Sequence, residues 1–358
     1  VVKQQLPAQV QPRLVVKSLT CLKLIANIAS SLNCSRFMLF HAPHLPIILR
    51  QYAQADILLG KPMPVAAVRQ FYSQWLSQPT DSEADKAQPQ IQWLVDSVER
   101  LQQYLALAKA LNLHLRINIE IDIGLHRGGL AKPEQLAPLL NLIAENPQYL
   151  QLAGLMGYDA HVGKIPAVLQ SLQKSYQLSQ QRYQAHINFI KNRFPQLFNA
   201  QLCFNGAGSP TFSLHCQHTV CNDIAFGSML LKPTDFDIAT LTQLTPALFI
   251  ATPVLKVLPQ SQIPGLAVLD KLPHRHKALF VYGGNWLANY VYPQGIQVNS
   301  LYGRSSNQEM VNVPKTCNIQ MDDYVLLRPT QSEAVIGQFS QLYCYDGQHL
   351  LDWATFND

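Results

Sequence analysis

The chain has 358 residues, 48% of them hydrophobic and 14% charged, with a formal net charge of +5. That length and apolar content exclude a disordered chain and allow one large α/β domain beside a smaller one. The positive surplus is spread without a dense Lys/Arg run, which argues for small anionic partners rather than nucleic acid, and no apolar run approaches the ~20 residues needed to span a bilayer.

The opening stretch VVKQQLPAQVQPR has no apolar signal-peptide run, and the chain starts on Val1 without an initiator methionine. From Arg13 onward, short apolar runs alternate with stretches of helical period. The predicted strands are LVVKS (14–18), RFMLF (36–40), DILLG (56–60), QWLVD (92–96), LHLRINIEIDIG (113–124), LAGLMGYD (152–159), LCFNGAG (202–208) and DIAFGS (223–228). Between them SVERLQQYLALAKALN (97–112) puts Val98, Leu101, Leu105, Ala108 and Leu111 on one face, and KPEQLAPLLNLIAENP (132–147) opens with Pro133 at a helix start. The polar, proline-punctuated SQPTDSEADKAQPQ (77–90) reads as a surface excursion. Eight strands in βα repeats predict an α/β fold, a closed (β/α)8 barrel of the TIM type.

After about residue 240 the texture becomes β-rich, as in ALFIATPVLKVL and HKALFVYGGNWLANYVY. The expected organisation is a barrel over 13–240 and a C-terminal β domain over 241–358, with residues 1–12 packing against the β domain. Seven scattered cysteines with no C-x-x-C pair suit reduced thiols and a cytoplasmic location.

Functional groups of such a barrel collect at the C-terminal ends of its strands. There the chain places Lys17, His41, Asp122, Arg127, Tyr158, His161, Asn205 with GAGSPT, and Gly227 with Ser228. Lys17 ends an apolar run, where it is either a lysine snorkelling to water or a covalent lysine. The glycine-rich NGAGSPTF (205–212) is either a plain turn or a phosphate cradle, and FGSM (226–229), one strand away, allows two turns to converge on one phosphate. Arg127 suits a bound anion or an ion pair with Glu120 or Asp122. In MGYDAHVGK (156–164) a phenol, a carboxylate and an imidazole fall within four residues, suited to ring contact or proton transfer.

The lysine in VVKS, IDIGLHRGG, GLMGYDAHVG, GAGSPTF and FGSM, in that order on a barrel followed by a β domain, resemble the fold-type III pyridoxal-phosphate enzymes, and among them the D-threonine aldolase and D-serine dehydratase branch. The similarity to alanine racemase is more distant. The resemblance runs from Arg13 to Phe356. It implies that Lys17 forms a Schiff base with pyridoxal phosphate, that Arg127 contacts the cofactor's phenolic oxygen side, and that Tyr158 lies near the pyridine ring. It further implies that Gly206, Gly208, Ser209, Thr211, Gly227 and Ser228 hold the phosphate and that His161 lines the same pocket. A Schiff-base lysine is not an isolated buried ammonium, so the location of Lys17 is compatible with that role.

The chain departs from that branch in LLRPTQSEAV (326–335), where the metal-dependent members carry a histidine and, two residues on, a cysteine or aspartate. Here the positions are Gln331 and Glu333. Gln331 is a poor replacement for imidazole on zinc, so no metal site is expected; Gln331 and Glu333 are ligands only if one persists. Otherwise the two bind substrate, Glu333 acts as a general base, or both stabilise a turn. The expected function is a lyase, aldolase or dehydratase, acting on a small D-configured β-hydroxy amino acid. The alternatives are an amino-acid racemase, for which Tyr302 or Tyr290 of a partner subunit would be the opposite-face acid, and a non-catalytic pyridoxal-phosphate carrier. A homodimer is implied, with no nucleic acid or membrane partner.

Overall fold

The computed structural model describes residues 1–77, 88–166, 168–262, 265 and 275–356. The excursion expected at 77–90 falls mainly on 78–87, outside the described residues. A short α1 (Val2–Gln5) leads into β1 (Gln11–Val15) and α2 (Leu22–Leu32). There follow β2 (Arg36–Leu39), α3 (His44–Gln51), β3 (Asp56–Leu59), α4 (Val65–Leu76), β4 (Ile91–Val95) and α5 (Val98–Leu111). The series continues with β5 (Leu115–Ile121), α6 (Ala137–Glu145), β6 (Leu150–Gly157), α7 (Leu172–Arg193), β7 (Cys203–Gly206), α8 (Phe212–Gln217) and β8 (Asp223–Phe226). Each strand pairs in parallel with the next and β8 closes on β1, giving the expected eight-stranded barrel. All five residues of β4 are buried, because a parallel strand is covered by the lumen on one side and by helices on the other.

Several strands stop earlier than their apolar runs suggest. β1 ends at Val15, and Val16–Ser18 form a 3-10 turn, so Lys17 lies in the turn that follows β1 instead of ending a strand. β5 ends at Ile121 because Asp122 turns the chain: its Oδ1 accepts the backbone N–H groups of Gly124 (2.9 Å) and His126 (3.0 Å).

Inside the barrel, toward the N-terminal ends of the strands, a charged cluster takes the place of the usual apolar layer. Arg13 is completely buried. Its Nε and Nη2 donate to the two carboxylate oxygens of Asp223 (2.8 and 2.9 Å), and Nη2 also reaches Asp56 Oδ1 (2.9 Å). Nη1 donates to the carbonyls of Phe37 (3.2 Å) and Asp56 (2.9 Å). Arg36 and Asn205 add bonds to Asp223 (3.0 and 2.6 Å), while Arg116 and Gln92 add bonds to Asp56 (3.2 and 2.7 Å). Burial alone would raise the Asp56 carboxyl, but the Arg13 and Arg116 guanidiniums outweigh it and hold the group below the usual carboxylate range.

The chain forms two compact units, and their composition differs from the expected split at 240–241. The first comprises residues 1–229, 238–243 and the chain from Phe339 onward; the second comprises 230–237 and 244–338. Residues 1–12 fall in the first unit, where the amide of Gln11 donates to the Asn222 carbonyl at 2.8 Å and ties the start of β1 beside β8. In the second unit β9 (Ile250–Leu258), β10 (His276–Tyr282), β11 (Ala288–Tyr292), β12 (Gln297–Val298), β13 (Gln308–Pro314) and β14 (Tyr324–Pro329) form one antiparallel sheet in the order β11-β14-β9-β10-β13-β12. Its core includes Val254, Leu279, Val281, Val311 and Val325. The final hairpin, β15 (Gln341–Tyr345) and β16 (Leu350–Ala354), belongs to the first unit: the Phe356 amide donates to the Thr20 carbonyl at 3.0 Å, and Lys23 reaches the Asp352 carbonyl at 3.2 Å. Among the described residues no helix is long and apolar enough to cross a membrane.

Replacing Arg13 by Met removes the buried cation of the cluster, leaving Asp223 to Arg36 and Asn205 and Asp56 to Arg116 and Gln92, and is expected to lower unfolding stability by about 3 kcal/mol, measured by urea denaturation. Asp56, with its folded-state pKa depressed, contributes stability that is fully present above its unfolded pKa of about 3.9 and is lost as pH falls through the lower folded value. In an acid titration of stability, Asp56→Asn is therefore expected to flatten the loss below about pH 4.

Candidate active site

Lys17 projects from its 3-10 turn with Nζ 4.9 Å from the centre of the Phe40 ring, the residue just beyond β2. Phe40 lies so close to Gly60, beyond β3, that a Cβ there would stand 2.3 Å from the ring. The same 3-10 turn is bonded to the end of β8: the hydroxyls of Ser18 and Ser228 are 2.8 Å apart. Gly227 is required at this junction, since a Cβ would meet the Val15 carbonyl oxygen at 2.7 Å.

The two turns expected to converge do meet. The backbone N–H groups of Gly227 (3.4 Å) and Met229 (3.1 Å), in FGSM, both donate to Ser209 Oγ, in GAGSPT. Ser209 Oγ accepts both amides and keeps its own O–H as a donor, and with the Ser18–Ser228 hydroxyl pair it gathers beside the Lys17 turn groups of the kind that bind phosphate oxygens. Gly206 and Gly208 make room for neighbours: a Cβ on Gly206 would lie 2.5 Å from Cys221 Sγ, and one on Gly208 would lie 2.5 Å from Tyr158 Cε2. Thr211 faces inward. Its hydroxyl donates to Asp159 Oδ1 (2.7 Å) and accepts the Gly208 N–H (3.2 Å), so its single proton is spent within the protein.

Tyr158 packs against Gly208, and the Arg127 guanidinium lies over its ring at 5.2 Å. Asp122, one of the two carboxylates expected as an ion-pair partner for Arg127, is taken up by its own turn and by His126 Nδ1 at 2.7 Å. The other, Glu120, is pushed above the ordinary carboxylate range by burial and by Asp96, with Arg127 partly opposing the shift. His161 is turned toward α7, where its Nε2 is 3.2 Å from Ser179 Oγ. Ser179 donates to the Ser175 carbonyl (3.2 Å) and in that arrangement accepts from Nε2–H, leaving a lone pair on the buried Nδ1, which has no partner among the described residues. Burial lowers the His161 pKa, so the ring is neutral near pH 7.

Sequence reasoning missed one pair here. Asp159 and His215 are fully buried, with Nε2 of the imidazole 2.8 Å from Asp159 Oδ2. Asp159 belongs to the singled-out MGYDAHVGK stretch, but His215, in α8, carries no sequence signal.

Gln331 and Glu333 lie in the second unit. Gln331 Nε2 donates to Asp235 Oδ2 (3.0 Å), and Glu333 Oε2 is 3.5 Å from the hydroxyl of buried Ser332. Asp235 is part of a segment bound along β14, where Arg328 holds Asp237 through two hydrogen bonds of 2.7 and 2.8 Å. Of the two tyrosines considered for proton transfer, Tyr290 donates to buried Glu309 at 3.0 Å, while Tyr302 is exposed. Among the described residues no group of three or more His, Cys, Asp or Glu is arranged to hold a metal ion.

Residues 1–234 match the family described as alanine racemase, N-terminal domain. No curated protein matches the sequence. Among solved structures, the D-threonine aldolase from Filomicrobium marinum superposes with a TM-score of 0.73 at 14% identity, over 99% of this chain and 89% of that one. The D-threo-3-hydroxyaspartate dehydratase from Delftia sp. HT23 gives 0.72 at 14% identity, over 100% and 93%. The alanine racemase from Bacillus anthracis with bound L-Ala-P gives 0.70 at 16% identity, over 99% and 93%. At these identities the likeness establishes the fold.

Gly208→Ala forces the new methyl into the Tyr158 ring and is expected to cost about 1–3 kcal/mol of stability, with a change in tyrosine near-UV circular dichroism. An unchanged near-UV spectrum would contradict the packing of Tyr158 on Gly208.

Proposed function

The chain belongs to the alanine racemase N-terminal domain family, and from that premise we propose that it is a pyridoxal-phosphate-dependent lyase cleaving or dehydrating a D-configured β-hydroxy amino acid. The observation that carries this reading is the convergence of the Gly227 and Met229 amides on Ser209 Oγ beside the Ser18–Ser228 contact, one residue from Lys17. The donor chemistry fits a phosphate, and the primary amine next to it fits the carbonyl of the same molecule.

In this reading Lys17 holds pyridoxal phosphate covalently. Ser209 and Ser228 hold its phosphate, supported by Gly206, Gly208, Gly227 and Thr211, and Tyr158 with Arg127 lines its ring. When bound, the cofactor supplies an electron sink for charge released at the substrate Cα. The protein supplies orientation and proton movement. Lys17 Nζ is the base on its own face of the site, and neutral His161 offers the lone pair on Nδ1 as a hydrogen-bond acceptor. Arg127, permanently cationic, favours anionic oxygen near Tyr158. The hydrogen bond from Gln331 to Asp235 favours a structural use of Gln331 over metal ligation, which leaves Glu333 as the substrate-facing or general-base candidate of that segment.

The aldolase and dehydratase folds among the neighbours favour a lyase, and the alanine racemase makes racemisation the competing outcome. Purified protein is expected to take up pyridoxal phosphate with a visible absorbance that Lys17→Ala abolishes; a protein that stays colourless with added cofactor refutes the assignment. With a panel of D- and L-amino acids, release of an aldehyde or oxo acid identifies the lyase. A change of chirality alone identifies a racemase, and no turnover on any member identifies a carrier. Chelator treatment is expected to leave the rate within about twofold, whereas a strong loss restored by Zn²⁺ or Mn²⁺ would assign metal ligation to Gln331 and Glu333.

A further inference from the structure

Asp159 and His215 take no part in the chemistry set out above, yet a fully buried carboxylate and imidazole are costly to keep unless the pair does something specific. Their bonds run in one direction. His215 Nδ1 lies 2.8 Å from Thr219 Oγ1, and its Nε2–H donates to Asp159 Oδ2 at 2.8 Å. Asp159 Oδ1 accepts the Thr211 hydroxyl proton at 2.7 Å, and Thr211 Oγ1, with its proton directed there, accepts the Gly208 N–H at 3.2 Å. The relay therefore starts at the end of α8 and terminates on the GAGSPT turn.

The turn is gripped from other sides as well. Tyr158, the neighbour of Asp159, packs on Gly208, and the His215 ring lies so near Gly206 that a Cβ there would be 3.3 Å from its Cε1. Ala207, between these glycines, has φ of 66°, a left-handed conformation that a residue with a side chain adopts only when its surroundings impose it. Ser209, two residues on, meets the amides of the β8 turn.

From this arrangement we infer that Asp159, oriented by His215, is a positioning residue: through Thr211 it fixes the GAGSPT turn in the conformation that receives the cofactor's phosphate. The inference rests on the cofactor reading above. It assigns Thr211 an inward, shaping role in place of direct phosphate contact, and it makes the contribution of Asp159 specific to the phosphate end of the ligand.

The test uses the full chain and two ligands, pyridoxal phosphate and pyridoxal, which has the same reactive carbonyl but no phosphate. Apparent dissociation constants are read from the absorbance formed with each, and from competition of pyridoxal phosphate by inorganic phosphate. Asp159→Ala and the nearly isosteric Thr211→Val are each expected to weaken pyridoxal phosphate about tenfold, to leave pyridoxal unchanged, and to weaken phosphate competition in parallel. Thr211→Ser, which keeps the hydroxyl, is expected to restore the wild-type value. In the double variant the losses are expected not to add, because both changes break one chain of bonds. Thr211→Val keeps the volume and removes only the hydroxyl, so it carries the test if Asp159→Ala fails to fold. Wild-type affinity in the foldable variants, equal loss for both ligands, or fully additive losses would overturn the inference. A wild-type protein that binds neither ligand would instead overturn the cofactor reading.

Discussion

A single guanidinium holds the floor of this barrel. From β1, Arg13 reaches two carboxylates and two carbonyls at once, and the groups it touches belong to β2, β3, β8 and, through Cys203 Sγ, β7. Asp223 and Asp56 then recruit Arg36, Arg116, Asn205 and Gln92, and Asn118 bonds to Gln92 at 2.9 Å, so that all strands but β6 donate a side chain or carbonyl to one network. A charge cluster of this kind adds little net stability compared with a packed apolar layer, but its fixed angles penalise any slip of one strand against another. With the register set at one face, the opposite ends of the strands present their turns at defined heights. The serine and amide cluster beside Lys17 depends on that registration.

Much of the architecture was legible in the sequence because parallel strands buried on both sides are short apolar runs, and eight of them fell between helical segments. The turns FGSM and GAGSPT were legible for a different reason: glycine next to serine at a strand end is needed both for close approach and for donors. What stayed hidden depends on partners far away along the chain. Arg13 looks like the polar edge of the RLVV run, and nothing near it announces that Asp223, 210 positions away, will meet it in the lumen. His215 sits in FSLHCQ among residues that read as an ordinary helix. Lys17 was placed at a strand end, whereas β1 stops two residues earlier, because apolar character alone does not distinguish the last strand residue from the first buried turn residue.

The site residues divide by how their polar atoms are spent. Ser18 and Ser228 bond each other, and Ser209 accepts the amides of the neighbouring turn, so the three tie the Lys17 turn, FGSM and GAGSPT together. Thr211, Asp122 and Asp159 direct their oxygens into the protein and shape the backbone that carries the first group. A motif of polar residues at strand ends therefore contains both kinds, and only the hydrogen-bond directions separate them. Gln331 belongs with the shaping group within its own unit, through its bond to Asp235.

The chain passes between its two compact units at 229–230, 237–238, 243–244 and 338–339. The hairpin of β15 and β16, last in the sequence, is a structural part of the barrel unit, fastened to Thr20 and Lys23 at its start. No single peptide-bond cleavage releases either unit whole. A fragment ending near residue 240 would lose the bonds that the hairpin segment makes to Thr20 and Lys23, and a fragment beginning there would lack the 230–237 segment that Arg328 grips. Truncation is thus a poor route to an isolated barrel, and a barrel engineered to stand alone would need the terminal hairpin spliced back by a linker.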